Sequence, residues 1–382
     1  MNICIVTTSR SDFGLLKNLI FELKKNNFKV ELIAGGTHFS KKFGNTFSEI
    51  KNSGLKINKK IYSTNNPNNS KNVSYILSKH ITSATKIFED LNPDLLIVLG
   101  DRYEILGVTI AAHISKVPIA HIHGGEITSG VVDDAFRHSI TKMSQIHFAA
   151  NNIYRNRIIQ LGENPKNVFS VGGLGVDSIA QTKLLSQSDL EEKLKIKFNK
   201  KNLIVSFHPE TLKKNESKKQ LNELLSALST LKDTTIIFTS PGADLENDLI
   251  SRKIKIFIKK KSNTYYFASL GQINYFSILN IVDAIVGNSS SGILEMPTFK
   301  KATINIGDRQ LGRLKSIGVI DCKIKKKEIL NSLKIIYSKK FKDKIKYSKI
   351  FYGSSGASIK IAKILKKIKL KDILIKKFYD IN

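Results

Sequence analysis

The stretch "AHIHGGEITSGVVDDAFRHSITK", Ala120 to Lys142, gathers three histidines, Glu126, the adjacent Asp133 and Asp134, and Arg137 around bendable glycine and serine. Asp101 in "GDRYE" and His208 in "FHPE" add a carboxylate and an imidazole elsewhere in the chain. Together with His123, Glu126, Asp133 and Asp134 they are the side chains fit for moving a proton near neutral pH. A second set is fit for holding an anion. Arg10 and Gly14 fall in "SRSDFG", Arg102 follows Asp101, and Arg309 and Arg313 fall in "NIGDRQLGR", where two guanidiniums can grip a diphosphate. "GNSSSGILE" brings Ser289 and Ser290 to the start of an expected helix, where hydroxyls and backbone N–H groups serve either as an N-cap or as a phosphate cradle. Ser269, after "YYFA", completes the anion-binding candidates. Each residue alone has an ordinary structural reading: Asp12 as a helix cap, Asp133 and Asp134 as helix-start acids held by Arg137, Asp101–Arg102 as an ion pair, His208 as a satisfied side chain. The combination suits a nucleoside diphosphate beside a centre of proton transfer.

These residues are positioned by a regular rhythm. "NICIVTT", "KVELIAGG", "LLIVLGD" and "IAHIHGG" read as buried strands, with helical segments "FGLLKNLIFELKKNN", "YILSKHITSATKIFEDL" and "YEILGVTIAAHIS" between them. The rhythm pauses at "NVFSVGGLGVDSIAQ" and resumes with "NLIVSFHPE", "TTIIFTSPG", "YYFASLG", "AIVGNSS" and "ATINIGD". Strands alternating with helices predict an α/β protein of two Rossmann-like, doubly wound domains facing a cleft, one over residues 1–173 and one over 174–357. A last helix over 358–382 is expected to pack back on the first domain. The polar clusters each follow an apolar strand, so they are expected on the carboxyl-end rim of their sheet. "VGGLGVDS" at the junction reads as a hinge, and "NNPNNSKN", Asn65 to Asn72, as a mobile polar loop.

The chain has 382 residues, 41% hydrophobic, and a net charge of +30. From Asp321 onward 19 lysines face only five acids. They alternate with Ile and Leu at helical spacing, which describes solvated faces of amphipathic helices. With no zinc finger, RNA-recognition signature or Gly–Arg repeat, no nucleic-acid partner is expected. No apolar run approaches the ~20 residues of a membrane span, so no membrane partner is expected either. Two distant cysteines, Cys4 and Cys322, make no disulfide framework or zinc spacing, and a cytoplasmic location follows. There is no Walker lysine motif, no Gly-x-Gly-x-x-Gly after the first strand and no spaced metal-ligand pair.

"GDRYE", "HIHGGE", "DDAFRHSITK", "FHPE", "GNSSSGILE" and "NIGDRQLGR", in this order over most of the chain, resemble the UDP-N-acetylglucosamine 2-epimerases, most closely the UDP-hydrolysing branch that feeds sialic-acid-type synthesis. The resemblance implies a GT-B-like fold, no metal, no cofactor and a UDP-sugar substrate. It implies uridine diphosphate near His208, Ser289, Ser290, Glu295 and Arg309, assisted by Arg10 and Arg102, with Arg137 nearby, and a homo-oligomer, dimer or tetramer. Asp101 and Asp133 match carboxylates the family treats as catalytic. Animal members carry Glu where this chain has His123, and Gly242 stands where some members have a uridine-contacting Asn. The expected reaction converts UDP-N-acetylglucosamine, or UDP-2,4-diacetamido-2,4,6-trideoxyglucose, to UDP and the free 2-epimeric sugar. The alternatives are the non-hydrolysing epimerase and a GT-B glycosyltransferase.

Overall fold

The computed structural model describes residues 1–40, 44–63, 66–67, 69–129, 131–209, 216–240 and 247–381. The chain divides into two compact units. The first is Met1–Glu126, Asp133–Ser178 and Tyr352–Asn382; the second is Ile127–Val132 and Ile179–Phe351.

Among the described residues the first unit holds a parallel sheet of seven strands: β1 (Asn2–Thr7), β2 (Lys29–Ala34), β3 (Lys59–Lys60), β4 (Leu95–Leu99), β5 (Ile119–Ile122), β6 (Ile146–Ala149) and β7 (Val168–Ser170). Their order is β3-β2-β1-β4-β5-β6-β7, so the winding reverses between β1 and β4. Every second residue of β1 faces the opposite side, and both sides are apolar. Ile3 and Ile5 enter one core with Leu16, Leu19 and Leu23, while Cys4 and Val6 enter the other with Ile105 and Val108. That double burial is why the strands read as unbroken apolar runs. The helix Arg10–Lys25 shares its core with Ile361 and Leu365 of the helix Ala357–Lys367. Asp177 caps that last helix: its carboxylate accepts from Gly356 N–H at 2.6 Å, Ser358 N–H at 3.1 Å and Ser358 Oγ at 2.5 Å.

The second unit, among the described residues, has six parallel strands: β8 (Lys201–Ser206), β9 (Thr234–Thr239), β10 (Thr264–Phe267), β11 (Ala284–Gly287), β12 (Ala302–Ile306) and β13 (Val319–Cys322), in the order β10-β9-β8-β11-β12-β13. It reverses between β8 and β11. Leu203 and Val205 of β8 enter one core and Ile204 the other. The lysine-rich helices Lys326–Tyr337 and Lys339–Lys346 bury Ile329, Leu333, Phe341 and Ile345 and leave their lysines exposed.

Four strands escape the sequence pattern. β3 and β7 are two or three residues long, β6 ("IHFA") hides a histidine, and β13 ("VIDC") an aspartate. "VFS", read as part of a pause, is therefore the seventh strand. Asn65 and Asn68 of the expected mobile loop, Glu210 of "FHPE", and Gly242 lie outside the described residues. Ser70 to Asn72 already belong to the helix Ser70–Leu91, capped by Asn69. Among the described residues no helix is long and apolar enough to cross a membrane.

Candidate active site

In the first unit the residues singled out lie at the carboxyl ends of β1, β4 and β5. Ser9 caps the helix Arg10–Lys25, its Oγ accepting from Asp12 N–H. Asp12, expected as the cap, instead reaches back to Thr8 Oγ1 at 2.8 Å, and burial raises its pKa against the pull of Arg102. Arg10 opens this helix, and the carbonyl of Gly14 accepts from Ser178 Oγ. Arg102 donates through Nε and Nη2 to the two carboxylate oxygens of buried Glu104, at 3.1 and 2.9 Å. Burial would lower the Arg102 pKa, but Glu104, Tyr103 and Asp12 together hold it well above its ordinary value.

The end of β4 and the helix Asp133–Met143 meet at Arg137, whose side chain is 2% exposed. Its guanidinium pairs with Asp101, donates to Asp134 Oδ1 at 2.9 Å and donates to the Glu126 carbonyl at 3.0 Å. The planar guanidinium fork, with several fixed donors, holds all three groups. Asp101 thus joins Asp134 and Arg137 in one cluster. His138 Nε2 stands 3.7 Å from Asp134, and Asp133 is the first residue of the same helix.

At the end of β5, His123 Nδ1 lies 2.9 Å from Glu126 Oε1, and Leu174 N–H points to His123 Nε2 at 3.3 Å. His123 has a φ of +67°, unusual for a residue with a side chain. Gly125 follows with φ +76°, where a Cβ would collide with the Tyr154 carbonyl. His121, by contrast, is internal: its Nε2 bonds the Gly100 carbonyl at 2.8 Å, and burial pushes its pKa down to about 3. It ties β5 to the turn that carries Asp101.

In the second unit β8 and β11 end side by side. His208 N–H donates to Asn288 Oδ1 at 2.7 Å, and Asn288 Nδ2 returns a bond to the His208 carbonyl at 2.8 Å. Gly287 lets β11 approach β8, since a Cβ there would strike the Ser206 carbonyl. The Asn288 carbonyl accepts from Arg309 Nη1 at 3.2 Å and Gln310 Nε2 at 2.9 Å. Arg309 Nε is buried and has no hydrogen-bond partner among the described residues. Ser289 and Ser290 are half-buried in the turn, and Ser289 Oγ accepts from Ser291 N–H at 3.4 Å. The helix expected after them is a single turn, Ser291–Leu294, because Pro297 diverts the chain into the 3-10 turn Met296–Phe299. Ser291 Oγ donates to Glu295, and burial pushes the Glu295 carboxyl up to about 7. Ser269 follows β10, and Arg313 follows the "GDRQ" turn after β12; both are half-buried.

Asn288 escaped the sequence reading although it sits inside "GNSSS". The available signal was an amide-bearing residue directly after an apolar strand, where burial requires it to pair with backbone. Among the described residues no group of three or more His, Cys, Asp or Glu side chains is placed to hold a metal ion.

Two parallel-sheet α/β units, each reversing its strand order where the polar residues gather, define a two-domain Rossmann-like fold of the GT-B-like class. The chain belongs to the UDP-N-acetylglucosamine 2-epimerase family, whose model matches residues 22–366. It is 38% identical to the GDP/UDP-N,N'-diacetylbacillosamine 2-epimerase (hydrolyzing) of Campylobacter jejuni, over 99% of each chain. It is 37% identical to the polysialic acid biosynthesis protein P7 of Escherichia coli, over 99% of this chain and 97% of that one. Its fold matches the crystal structure of UDP-GlcNAc 2-epimerase from Neisseria meningitidis bound to UDP-GlcNAc with a TM-score of 0.83 at 18% identity, covering 96% of this chain and 100% of that one. The chain is accordingly an enzyme of the UDP-sugar 2-epimerase class.

Proposed function

We propose that this enzyme hydrolyses a UDP-2-acetamido sugar to UDP and the free 2-epimer through a glycal. The observation that carries the reading is the pair of switch points. One holds Asp101, Asp134, Arg137, His123 and Glu126 in a connected network, and the other holds serines and Arg309 around His208 and Asn288.

The C2 proton of such a sugar is not acidic, so its removal is coupled to loss of the leaving group. A base takes the C2 proton, the C–H electron pair forms the C1–C2 double bond, and the C1–O pair departs with UDP. Positive charge grows on the ring and negative charge on the diphosphate. Ser289, Ser290, Arg309 and Arg313, with Arg10 and Arg102, are proposed to stabilise the diphosphate. The buried Nε of Arg309 is a donor available for that use. Glu295 is proposed to bind the ribose. Asp101, Asp133 and His123 are proposed for proton transfer, and Arg137 is a positioning residue for Asp101 and Asp134 rather than a ligand of UDP. Water then adds to C1, and C2 takes a proton from the opposite face.

The name of the Campylobacter relative supports a diacetamido-trideoxy sugar and that of the E. coli relative a sialic-acid route. Incubation with UDP-N-acetylglucosamine and with UDP-2,4-diacetamido-2,4,6-trideoxyglucose, followed by NMR of the products, tests both. Free 2-epimer with stoichiometric UDP supports the proposal; an intact UDP-epimer instead would identify a non-hydrolysing enzyme. A cytoplasmic location is proposed from the two buried free cysteines, which suit a reducing compartment. A homo-oligomer is proposed as well, and light scattering on the purified protein tests it.

A further inference from the structure

We propose that Glu126 is a positioning residue that fixes the tautomer of His123, making His123 Nε2 the atom that accepts the C2 proton. The inference rests on the epimerase reading above and assigns, within it, which of two adjacent groups does the proton work.

The tautomer follows from hydrogen-bond logic. The backbone N–H of Leu174 can only donate, and it points at His123 Nε2 from 3.3 Å. Nε2 therefore presents its lone pair. The ring proton of the neutral imidazole is then on Nδ1, which donates to Glu126 Oε1 at 2.9 Å. A carboxylate behind one ring nitrogen leaves the other as the base, the arrangement that activates imidazoles in acyl-transfer enzymes.

Burial ranks the pair in the same order. The Glu126 side chain is 3% exposed and that of His123 is 12% exposed, so the carboxylate lies behind the ring. The backbone fixes the direction of the ring. His123 sits at φ +67°, with its N–H donating to the Phe148 carbonyl at 3.0 Å. A side-chain-bearing residue kept in the left-handed region is strained and persists where surrounding structure imposes it. The Leu174 contact is an N–H···N bond of 3.3 Å from a neutral donor, a resting partner that an entering substrate can displace.

Two neighbouring carboxylates, Asp101 and Asp134, are less suited. Both spend oxygens on Arg137. In the proposed step the C2 proton passes to Nε2, the C–H pair becomes the C1–C2 double bond, and the C1–O pair leaves with UDP. The imidazolium so formed is stabilised by Glu126 through Nδ1–H, and Glu126 itself stays ionised.

The test combines a spectroscopic and a kinetic readout. In the 15N spectrum of the full-length enzyme with labelled histidine, His123 is expected as the neutral Nδ1–H tautomer, and Glu126→Gln is expected to erode that signature. In UDP-release assays, His123→Gln and Glu126→Gln should each lower kcat by at least ~10²-fold with KM nearly unchanged, and the double variant should be no worse than His123→Gln alone. Active His123→Gln beside inactive Glu126→Gln, multiplicative losses in the double variant, or an Nε2–H tautomer in the wild type would each overturn the proposal. Failure of the wild type to release UDP from any UDP-sugar counts against the epimerase reading instead, while the tautomer spectrum still reads the pairing. Melting temperature and UDP affinity, measured on each variant, separate these outcomes from misfolding.

Discussion

Asn288 and His208 exchange two hydrogen bonds at the point where the second sheet reverses its strand order. The Asn288 side chain, fully buried, fixes the backbone of His208, and its carbonyl fixes Arg309 and Gln310. Asn288 thus touches three neighbours, His208 through its side-chain amide and Arg309 and Gln310 through its backbone carbonyl. Asn288→Asp replaces the donor that faces the His208 carbonyl with a carboxylate oxygen. We expect a loss of about 1–3 kcal/mol in denaturant titration, the cost of an unsatisfied buried acceptor, together with weaker UDP binding. Wild-type stability and affinity in this variant would mean that the pair is incidental.

Ser290→Ala and Arg309→Ala each remove a donor proposed for the diphosphate. A charge-assisted bond is worth roughly 1.5–3 kcal/mol, about a ten- to hundredfold in affinity. Calorimetry with UDP reads this directly. Unchanged affinity in both variants would refute the phosphate role of the turn after β11.

The strands that carry these residues were largely legible because burial on both faces leaves an unbroken apolar signature, as in Ile3–Val6 and Leu203–Val205. β6 and β13 were not, since His147 and Asp321 interrupt the apolar run and are compensated by contacts remote in sequence. His147 bonds Glu163 at 3.0 Å, and Asp321 accepts from Asn305 and Lys315. The candidate residues could be found by type and by their position after strands, and Arg137 could be paired with the acids of its own helix, but its tie to Asp101 could not. Asp101 and Arg137 are 36 positions apart, and nothing in the spacing says that one guanidinium serves Asp101, Asp134 and a carbonyl together. His123, at the position where the animal members of the resembled branch carry Glu, was likewise visible. Its consequence depends on Leu174 N–H, a backbone atom that carries no sequence signal.

Glu295 gives a pH signature. Burial raises its carboxyl from 4.5 to about 7, against the opposing bond from Ser291. Between those values the folded state holds a proton that the unfolded state has lost, so the contribution of Glu295 to stability falls as pH rises through this window. Glu295→Gln keeps the shape and removes the titration. We expect the variant to gain stability over the wild type at pH 8 and to lose that advantage near pH 4. Parallel stability curves across the range would show that Glu295 does not titrate in this way.

Asp101 and Arg137 supply the last prediction, which joins the cluster to the chemistry. If UDP leaves as the C2 proton is removed, the proton is exchanged with solvent, and product formed in D2O carries deuterium at C2. Asp101→Asn keeps the shape but removes the charge that both pairs with Arg137 and could accept a proton. We expect kcat to fall by at least the ~10²-fold typical of a lost acid or base, with UDP affinity kept. Arg137→Lys keeps a positive charge but loses the planar fork whose two terminal nitrogens are shared among Asp101, Asp134 and the Glu126 carbonyl. As a positioning residue it should lower kcat and leave UDP binding intact. A variant that loses UDP affinity while turning over bound substrate normally would instead place Arg137 on the nucleotide. Retention of protium at C2 in D2O would sink the elimination route for every variant, because no glycal can form without losing that hydrogen.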